Sequence, residues 1–577
     1  MKRLLFVFLF PLYFLGLSAQ YKEIRFKILE TSDIHGNYFP YDFIEEHPSQ
    51  GSLSRIASYL KKEREVYQDR LILLDNGDIL QGQPSAYYYN FVDTISIHIV
   101  ARMLDFMKYN AGSMGNHDIE AGSLVYNRLM RQSGFPWMAA NVIYDDEKNG
   151  RNYFTPYYIH EIEGIRIAVL GMITPAIPTW LPKQLWPEMH FEDVKTCIEQ
   201  WIPVLKNREK ADAVIGLFHL GMNGSIVANG LNEGDGNNLA REIPGLDIVL
   251  LGHDHRPVNC KIANVAGDSV LIINPGANGN LVSDVELVIT VDNGIVTGKE
   301  VVGKLVDMTD YDPDPDFMEK FKSDFEAIKA FVSEKIGTVT LPLLSRDAYF
   351  GPSAFVDLIH RIQLELTQAD VSFAAPLSYD TNIAQGDILV SDMFKLYKYE
   401  NFLYSMTLSG QEIKDFLESS YGIWMNQMRG PEDHLLLLRK DEGSGVFRFA
   451  SASYNFDSAA GISYTVDVTK PVGQRITIDK KMKNGKTFGV NQQYKVAVNS
   501  YRGNGGGGHL TKGAGIPYKE LSSRIISSTP VDLRYYMMEW IKKEKTIRPI
   551  IFSDWKLLPE EWTKLAGKRD YQLLFDE

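Results

Sequence analysis

Seven residues of metal-ligand type fall in five short motifs: Asp33 and His35 in DIHG, Asp78 in GDIL, Asn116 in GNHD, His219 in HLG, and His253 and His255 in GHDH. A carboxylate such as Asp78 can bridge two cations and cancel part of their repulsion. Asn116 offers a neutral carbonyl oxygen, and imidazoles suit zinc, manganese, iron or nickel. Two ions held about 3.5–4 Å apart can activate a water and clamp an attacked phosphoryl group. Singly the motifs are weak. Asp-x-His is common, GNHD is also turn chemistry, and paired histidines also occur in surface loops. Their order along one chain is what points to a dinuclear centre.

Each motif closes an apolar run, and an open α/β sheet gathers its ligands just beyond the carboxyl ends of its strands. IRFKILE alternates apolar and polar residues and stops at TSDIHG. LILLD, IRIAVLGMI, AVIGLFHLG, DIVLLGHDH and SVLIINPG read as further core strands. Leu53, Ile56, Ala57 and Leu60 have helical spacing after Gly51-Ser52, which supplies a cap. SDVELVITV, an Asp-Asn-Gly turn and IVTGKEVV predict a hairpin that ends the first domain. The acidic, proline-rich DMTDYDPDPD then marks a boundary. Phe317, Phe321, Phe325, Ile328, Val332 and Ile336 predict a lone helix between domains, a spacer or hinge. From about Leu343 the pattern restarts, with a helix around Ala354 to Leu366 and then mixed strands and turns, including NSYRGNGGGGHLTKGAG.

A chain of 577 residues, 45% hydrophobic and 23% charged, has enough apolar material for more than one core. Its formal net charge of -13 argues against a nucleic-acid polymer as partner. A small phosphorylated substrate remains compatible, because bound cations reverse the local potential. Lys2 and Arg3 precede an apolar stretch from Leu4 to Leu17, with Ser18-Ala19 before Gln20, so residues 1–19 read as a cleavable export signal. That stretch is short for a span, which needs about 20 residues, and Pro11 interrupts it. A periplasmic or secreted monomer without a stable membrane anchor is expected. Cys197 and Cys260 are either one disulfide or free thiols, and neither is a candidate metal ligand.

The ordered motifs resemble the calcineurin-like metallophosphoesterases. Nearly all of the mature chain resembles secreted nucleotidases in which such a domain precedes a 5'-nucleotidase C-terminal domain. The resemblance implies an α/β architecture: a four-layer αββα sandwich over 20–310, a linker helix over 311–342 and an α+β substrate-binding domain over 343–577. It implies two divalent metal ions (Mn, Zn, Co or Fe). One would sit on Asp33, His35, Asp78 and His255, the other on Asp78, Asn116, His219 and His253. His117 matches the family's catalytic histidine, which stabilises transition-state charge or protonates the leaving oxygen. The Asp that orients it in 5'-nucleotidases is Glu120 here. The second member of the dyad is therefore Glu120 or Asp118, although Glu120 also suits the start of a helix. SYNFDSAAGISYTVDV and NSYRGNGGGG resemble the two segments that sandwich a nucleobase. Tyr501 supplies one ring, while Tyr454 and Phe456 compete for the other and one of that pair is expected in the core.

Two departures from the 5'-nucleotidase pattern matter. Gly507 stands where those enzymes carry an Asp bonded to the ribose hydroxyls, and FAAPLSYDTNI replaces their arginine-bearing Asn-Gly-Gly-Gly-Ile-Arg-type motif. YNFD with YTVDVTKP, NSYR, and GHDH ending in His255 instead resemble the 2',3'-cyclic-nucleotide 2'-phosphodiesterase/3'-nucleotidase branch. The resemblance thus implies hydrolysis of cyclic and 3'-nucleotides for salvage, with 5'-nucleotidase or UDP-sugar diphosphatase as the alternative. It also implies domain rotation that carries nucleotide from the aromatic clamp to the metals. A nucleotide-binding protein without turnover is disfavoured by the intact ligand set and His117.

Overall fold

The computed structural model describes residues 21–145, 150–224, 232–441, 443, 445–479, 482 and 485–575. The expected export signal at 1–19 lies outside them. Two six-stranded sheets build the first domain. One runs in the order Ile295–Asp307, Leu281–Asp292, Tyr21–Thr31, Leu71–Asp75, Ala111–Ser113, Trp137–Met138. The other runs Val258–Ala263, Ser269–Asn274, Ile248–Leu251, Ala213–His219, Ile165–Ile173, Tyr157–Ile162. All six apolar runs singled out in the sequence are strands. Ser52 caps the helix Leu53–Tyr67 by accepting from the Arg55 N–H, and the closing hairpin turns at Asn293-Gly294, both at positive φ.

Alternation along these strands creates the layers. Phe26, Ile28, Ile72, Leu74, Ile215 and Leu217 face inward and form one core between the sheets. On the outer face of the first sheet, Leu29, Leu71 and Leu73 pack in the same core as Leu53, Ile56 and Leu60 of the helix. On the outer face of the second, Val214 and Phe218 pack in the core that holds Val194, Ile198, Leu239 and Ala240 of two other helices. The result is the expected four-layer αββα sandwich. The central strands of both sheets run parallel, so their carboxyl ends emerge at one edge.

The connector departs from the expected lone helix. It is two helices, Pro315–Lys320 and Lys322–Val332, separated at Phe321, whose backbone sits at φ -108, ψ 17. Ile336 belongs to neither. It lies in the strand Lys335–Val339, which pairs with Gly386–Leu389 and Thr546–Ile547 of the second domain. Nor is the connector a free spacer. Phe325 packs 5.3 Å from Phe39, Phe317 packs 6.0 Å from Phe106, and Arg102 pairs with Asp324. The aromatic stripe clads the first domain instead of bridging solvent.

The second domain is α+β. Its main sheet runs Ser458–Ala460, Val371–Ala374, Gln493–Asn499, Leu403–Ser409, Ile525–Ser528, with the helices Ala354–Thr367 and Gly410–Trp424 packed alongside. Tyr87 of the first domain is buried in the second domain's core, 5.5 Å from Phe394 and beneath the Arg534 guanidinium at 5.2 Å. Cys197 and Cys260 are free thiols, the first buried in the sandwich and the second half-buried on an outer strand.

Two buried histidines outside the ligand set give a stability prediction. His98 caps the helix Ile99–Phe106 by accepting from the Val100 N–H, and His360 lies against Ser372 and Ser458. Burial lowers His98 to about 3 and His360 to about 4. The unfolded chain therefore takes up protons first, below about pH 6.5. Stability is complete above that value and falls as the medium is acidified toward the folded values, by about 1.4 kcal/mol per pH unit for each histidine. Urea unfolding at pH 7 and pH 5 checks this. The midpoint should fall less, or rise more, from pH 7 to pH 5 in His360→Gln protein than in the parent. Buried acids such as Asp75, which burial raises to about 8, shift both proteins alike in the opposite direction. An equal change in the two would contradict it.

Candidate metal centre and substrate cleft

The five motifs meet at the shared edge of the sandwich. Asp33 and His35 follow strand Tyr21–Thr31, Asp78 follows Leu71–Asp75 and Asn116 follows Ala111–Ser113. His219 ends Ala213–His219, and His253 and His255 follow Ile248–Leu251. Candidate ligand atoms of Asp33, His35, Asp78 and His255 all lie within 4.8 Å of one another, as do those of Asp78, His219 and His253. Asn116 joins the second group, its Oδ1 3.2 Å from His219 Nε2. All seven residues thus converge, with Asp78 shared. Asp33, His35, Asp78, His253 and His255 all adopt positive φ, a conformation that non-glycine residues hold only when the surroundings enforce it.

The enforcement is visible. The Asp33 N–H donates to Gly77 O at 2.9 Å, the His35 N–H to Asp78 O at 3.0 Å, and the His253 N–H to Asp33 Oδ2 at 3.0 Å. Asn76, which the sequence reading passed over, stitches the sheets together. Its side-chain amide donates to Glu30 Oε1 and to the Phe218 and Leu250 carbonyls of the opposite sheet. His219 Nδ1 donates to the Asn76 carbonyl at 2.6 Å and His35 Nδ1 to the Gln81 carbonyl at 3.1 Å, which turns each Nε2 toward the cluster. The motif glycines are needed for space. A Cβ on Gly115 would come within 2.2 Å of Asp78 Oδ1, and one on Gly252 within 2.2 Å of Ser32 Oγ.

These residues fit a pair of cations. Asp78 Oδ2 is buried, 3.2 Å from His219 Nε2, and takes no well-directed hydrogen bond. Burial opposes ionisation of Asp78, but the imidazoles around it, His219 foremost, hold its carboxyl well below the usual range. Burial lowers His35 and His253 to about 4, so both are neutral, the form that ligates a metal. With no cation bound, burial also opposes charge on His219, yet Asp78 raises it to about 10. A cation at that nitrogen displaces its proton.

His117 lies at the rim of the cluster. Its N–H donates to Asp78 Oδ1 at 2.7 Å, and its Nδ1 is hydrogen-bonded to Glu120 Oε2. Burial works against a charge on this ring, but Asp78 and Glu120 overcome it and raise it to about 10. The two alternatives for its partner are separated here. Asp118 is taken up by the backbone, accepting from the N–H groups of Asp78, Ile79, Leu80 and Gly115, whereas Glu120 holds the imidazole.

A cleft of about 330 Å³ leads from Asn116, His117 and His253 to Tyr399, Tyr454 and Tyr501 of the second domain. Trp180 forms part of its wall, its ring 5.6 Å from that of His253. Tyr454 and Tyr501 both face the cleft. Their rings meet edge to face, at 6.4 Å and 84°, and not as parallel plates, the arrangement two rings prefer with nothing between them. Phe456 does not reach the cleft. It is 1% exposed and stacked on Trp424 at 5.4 Å. Ser453–Asn455 is a 3-10 turn and not a strand, so side chains two positions apart point to different sides.

Arg502 is the second residue that sequence reading missed. It is 1% exposed and donates to Asp457 Oδ2 at 2.7 Å, the Tyr454 carbonyl at 2.8 Å, the Gly506 carbonyl at 2.8 Å and Asn455 Oδ1 at 3.0 Å. It thereby fastens the YNFD segment to the NSYR segment and fixes both aromatic residues. A Cβ on Gly507 would lie 2.0 Å from Arg502 Nη1. The space that a side chain at Gly507 would need is taken by the arginine.

Residues 26–257 match the calcineurin-like phosphoesterase family, and residues 335–512 match the 5'-nucleotidase C-terminal domain. The chain is 27% identical to the trifunctional nucleotide phosphoesterase YfkN of Bacillus subtilis over 94% of its own length, and spans 40% of that longer protein. It is 26% identical to the 2',3'-cyclic-nucleotide 2'-phosphodiesterase/3'-nucleotidase of Salmonella typhimurium, over 94% of this chain and 90% of that one. The fold superposes with a TM-score of 0.74 on a Staphylococcus aureus protein solved with alpha-ketoglutarate, at 20% identity, covering 92% of this chain and all of that one.

Proposed function

We propose that this chain, a calcineurin-like phosphoesterase with a 5'-nucleotidase C-terminal domain, opens 2',3'-cyclic nucleotides and then dephosphorylates the resulting 3'-nucleotides. The observation that carries the reading is the Arg502 clamp. It unites YNFD with NSYR and fills the place of a side chain at Gly507, which removes the ribose contact of the 5' enzymes. The name of the Salmonella relative supports the same substrates.

Two divalent cations, of the Mn, Zn, Co or Fe class, held with Asp78 between them would polarise the phosphoryl oxygens and activate a water. The protein's own groups do the rest. Tyr454 and Tyr501 hold the base by stacking, which contributes roughly 1–3 kcal/mol per base. Glu120 fixes the proton of His117 on Nδ1 or shares it, so the opposite ring nitrogen is oriented toward the substrate. As water oxygen bonds to phosphorus in line, the bond to O2' breaks and His117 delivers a proton to that oxygen. A second water then attacks the 3'-monophosphate; the bond to O3' breaks, His117, reprotonated from solvent, protonates O3', and phosphate and nucleoside leave.

An export signal at 1–19 would place this activity in the periplasm or outside the cell, for salvage by a monomeric enzyme. Among the described residues no helix is long and apolar enough to cross a membrane.

Metal-reconstituted protein given 2',3'-cyclic AMP, 3'-AMP, 5'-AMP and UDP-glucose together tests the reading by chromatography. The cyclic substrate and 3'-AMP should both be consumed to adenosine while the other two persist. Accumulation of 2'-AMP, or preferential loss of 5'-AMP or UDP-glucose, would overturn it.

A further inference from the structure

Beyond His117 at the rim of the ligand cluster, the cleft leading to the aromatic pair has no cationic side chain among its described lining residues. Among the described residues, its lining carries two carboxylates, Glu120 and Glu233, and no Lys or Arg. The stretch at 225–231 that precedes Glu233, SIVANGL, contains no Lys or Arg either. Two cations lie nearby, and neither lines the cleft. Arg502 is 1% exposed, and its guanidinium is engaged by Asp457, Asn455 and two carbonyls. Lys398 is exposed, with its ammonium 5.9 Å from the Tyr399 ring centre. Apart from the ligand cluster, the polar groups that face the cleft include the amides of Asn401 and Asn499. Amides pair well with hydroxyls and base edges but supply no charge.

We infer that the cleft selects nucleotides with a single phosphate, the one seated at the ligand cluster, and rejects those carrying a second phosphate on the nucleoside side. The inference rests on the proposed reading of this site as a nucleotide hydrolase and narrows its substrate class. A neutral nucleoside loses little on entering a half-apolar cleft walled by Trp180, Leu181, Leu377 and three tyrosines. A second phosphate would be stripped of water there, unpaired, and would face Glu233, so desolvation and like-charge repulsion act together against it. The scissile phosphate takes the place at the ligand cluster, so the second phosphate would lie beyond it along the cleft.

The test compares kcat/KM of the metal-loaded enzyme for 3'-AMP and for adenosine 3',5'-bisphosphate, which share the same scissile bond. The bisphosphate should be at least about 100-fold poorer, the scale of an uncompensated like-charge contact. Glu233→Lys should narrow that ratio by about tenfold or more, since it replaces a repulsive partner with an attractive one. Turnover of the two within about threefold, or a ratio that E233K leaves unmoved, would overturn the inference. If the enzyme instead prefers 5'-monophosphates, the proposed function fails, and 5'-AMP against 5'-ADP becomes the comparison. Discrimination against ADP there would still uphold the single-phosphate rule, and parity would overturn it.

Discussion

Asp78→Ala should abolish phosphoester hydrolysis, lowering kcat by at least about 10⁴-fold, while the protein stays folded. The size follows from its position. Asp78 is the one carboxylate common to both ligand groups, and it also accepts the His117 N–H. Its loss would therefore remove a ligand that both candidate cation positions share and loosen the attached acid–base residue. At about 1.4 kcal/mol per power of ten, a 10⁴-fold loss corresponds to about 5 kcal/mol of transition-state stabilisation. Asp78→Asn keeps the shape and an acceptor for His117 but removes the charge, and it too should be nearly inactive. Elemental analysis should find fewer bound metal ions in both variants than in the parent. Purified Asp78→Ala protein that retains turnover, with contamination excluded, would sink the two-cation account.

His117→Gln is the second large effect expected. General acid–base groups contribute about 10²–10⁴-fold, and His117 lies where a leaving oxygen would depart, at the junction of ligand cluster and cleft. Bound metal should be unchanged in this variant, which separates it from Asp78→Ala. The leaving group gives a sharper check. A nitrophenyl phosphate expels a stable phenolate that needs no proton, so the loss should shrink strongly on that substrate. Glu120→Gln should follow the same pattern with a smaller loss, about tenfold, because Glu120 acts by orienting His117. An equal loss on nucleotide and nitrophenyl substrates would remove His117 from proton transfer.

Much of this was legible in the sequence because the chemistry sits at strand ends. Four of the five ligand motifs follow an apolar run, so local hydrophobicity located those strands and their ends located most of the site; GNHD follows only the short strand Ala111–Ser113, which carries no such signal. The helix capped by Ser52 and the Asn-Gly hairpin announce themselves through equally local signals. What stayed hidden depends on distant partners. Asn76 carries no local signal, yet it ties strands separated by more than 140 residues in sequence. Gly115 and Gly252 also looked like turn formers, but carboxylate and hydroxyl groups from other loops occupy the space a side chain would need. Arg502 stood inside a motif already noticed, although three of its four acceptors lie on a segment 45 or more residues away. The connector misled because Phe317, Phe321 and Phe325 keep helical spacing across a break that only the packing of Phe321 against the first domain reveals.

The most direct measurement of the central claim is a metal titration of chelated protein, followed by release of phosphate from 3'-AMP. Activity should be absent at the start, rise with added Mn or Co, and level off near about two equivalents per chain, while the Asp78→Ala protein stays flat throughout. Full turnover in the chelated protein, or a plateau at one equivalent, would contradict a dinuclear centre built on Asp78.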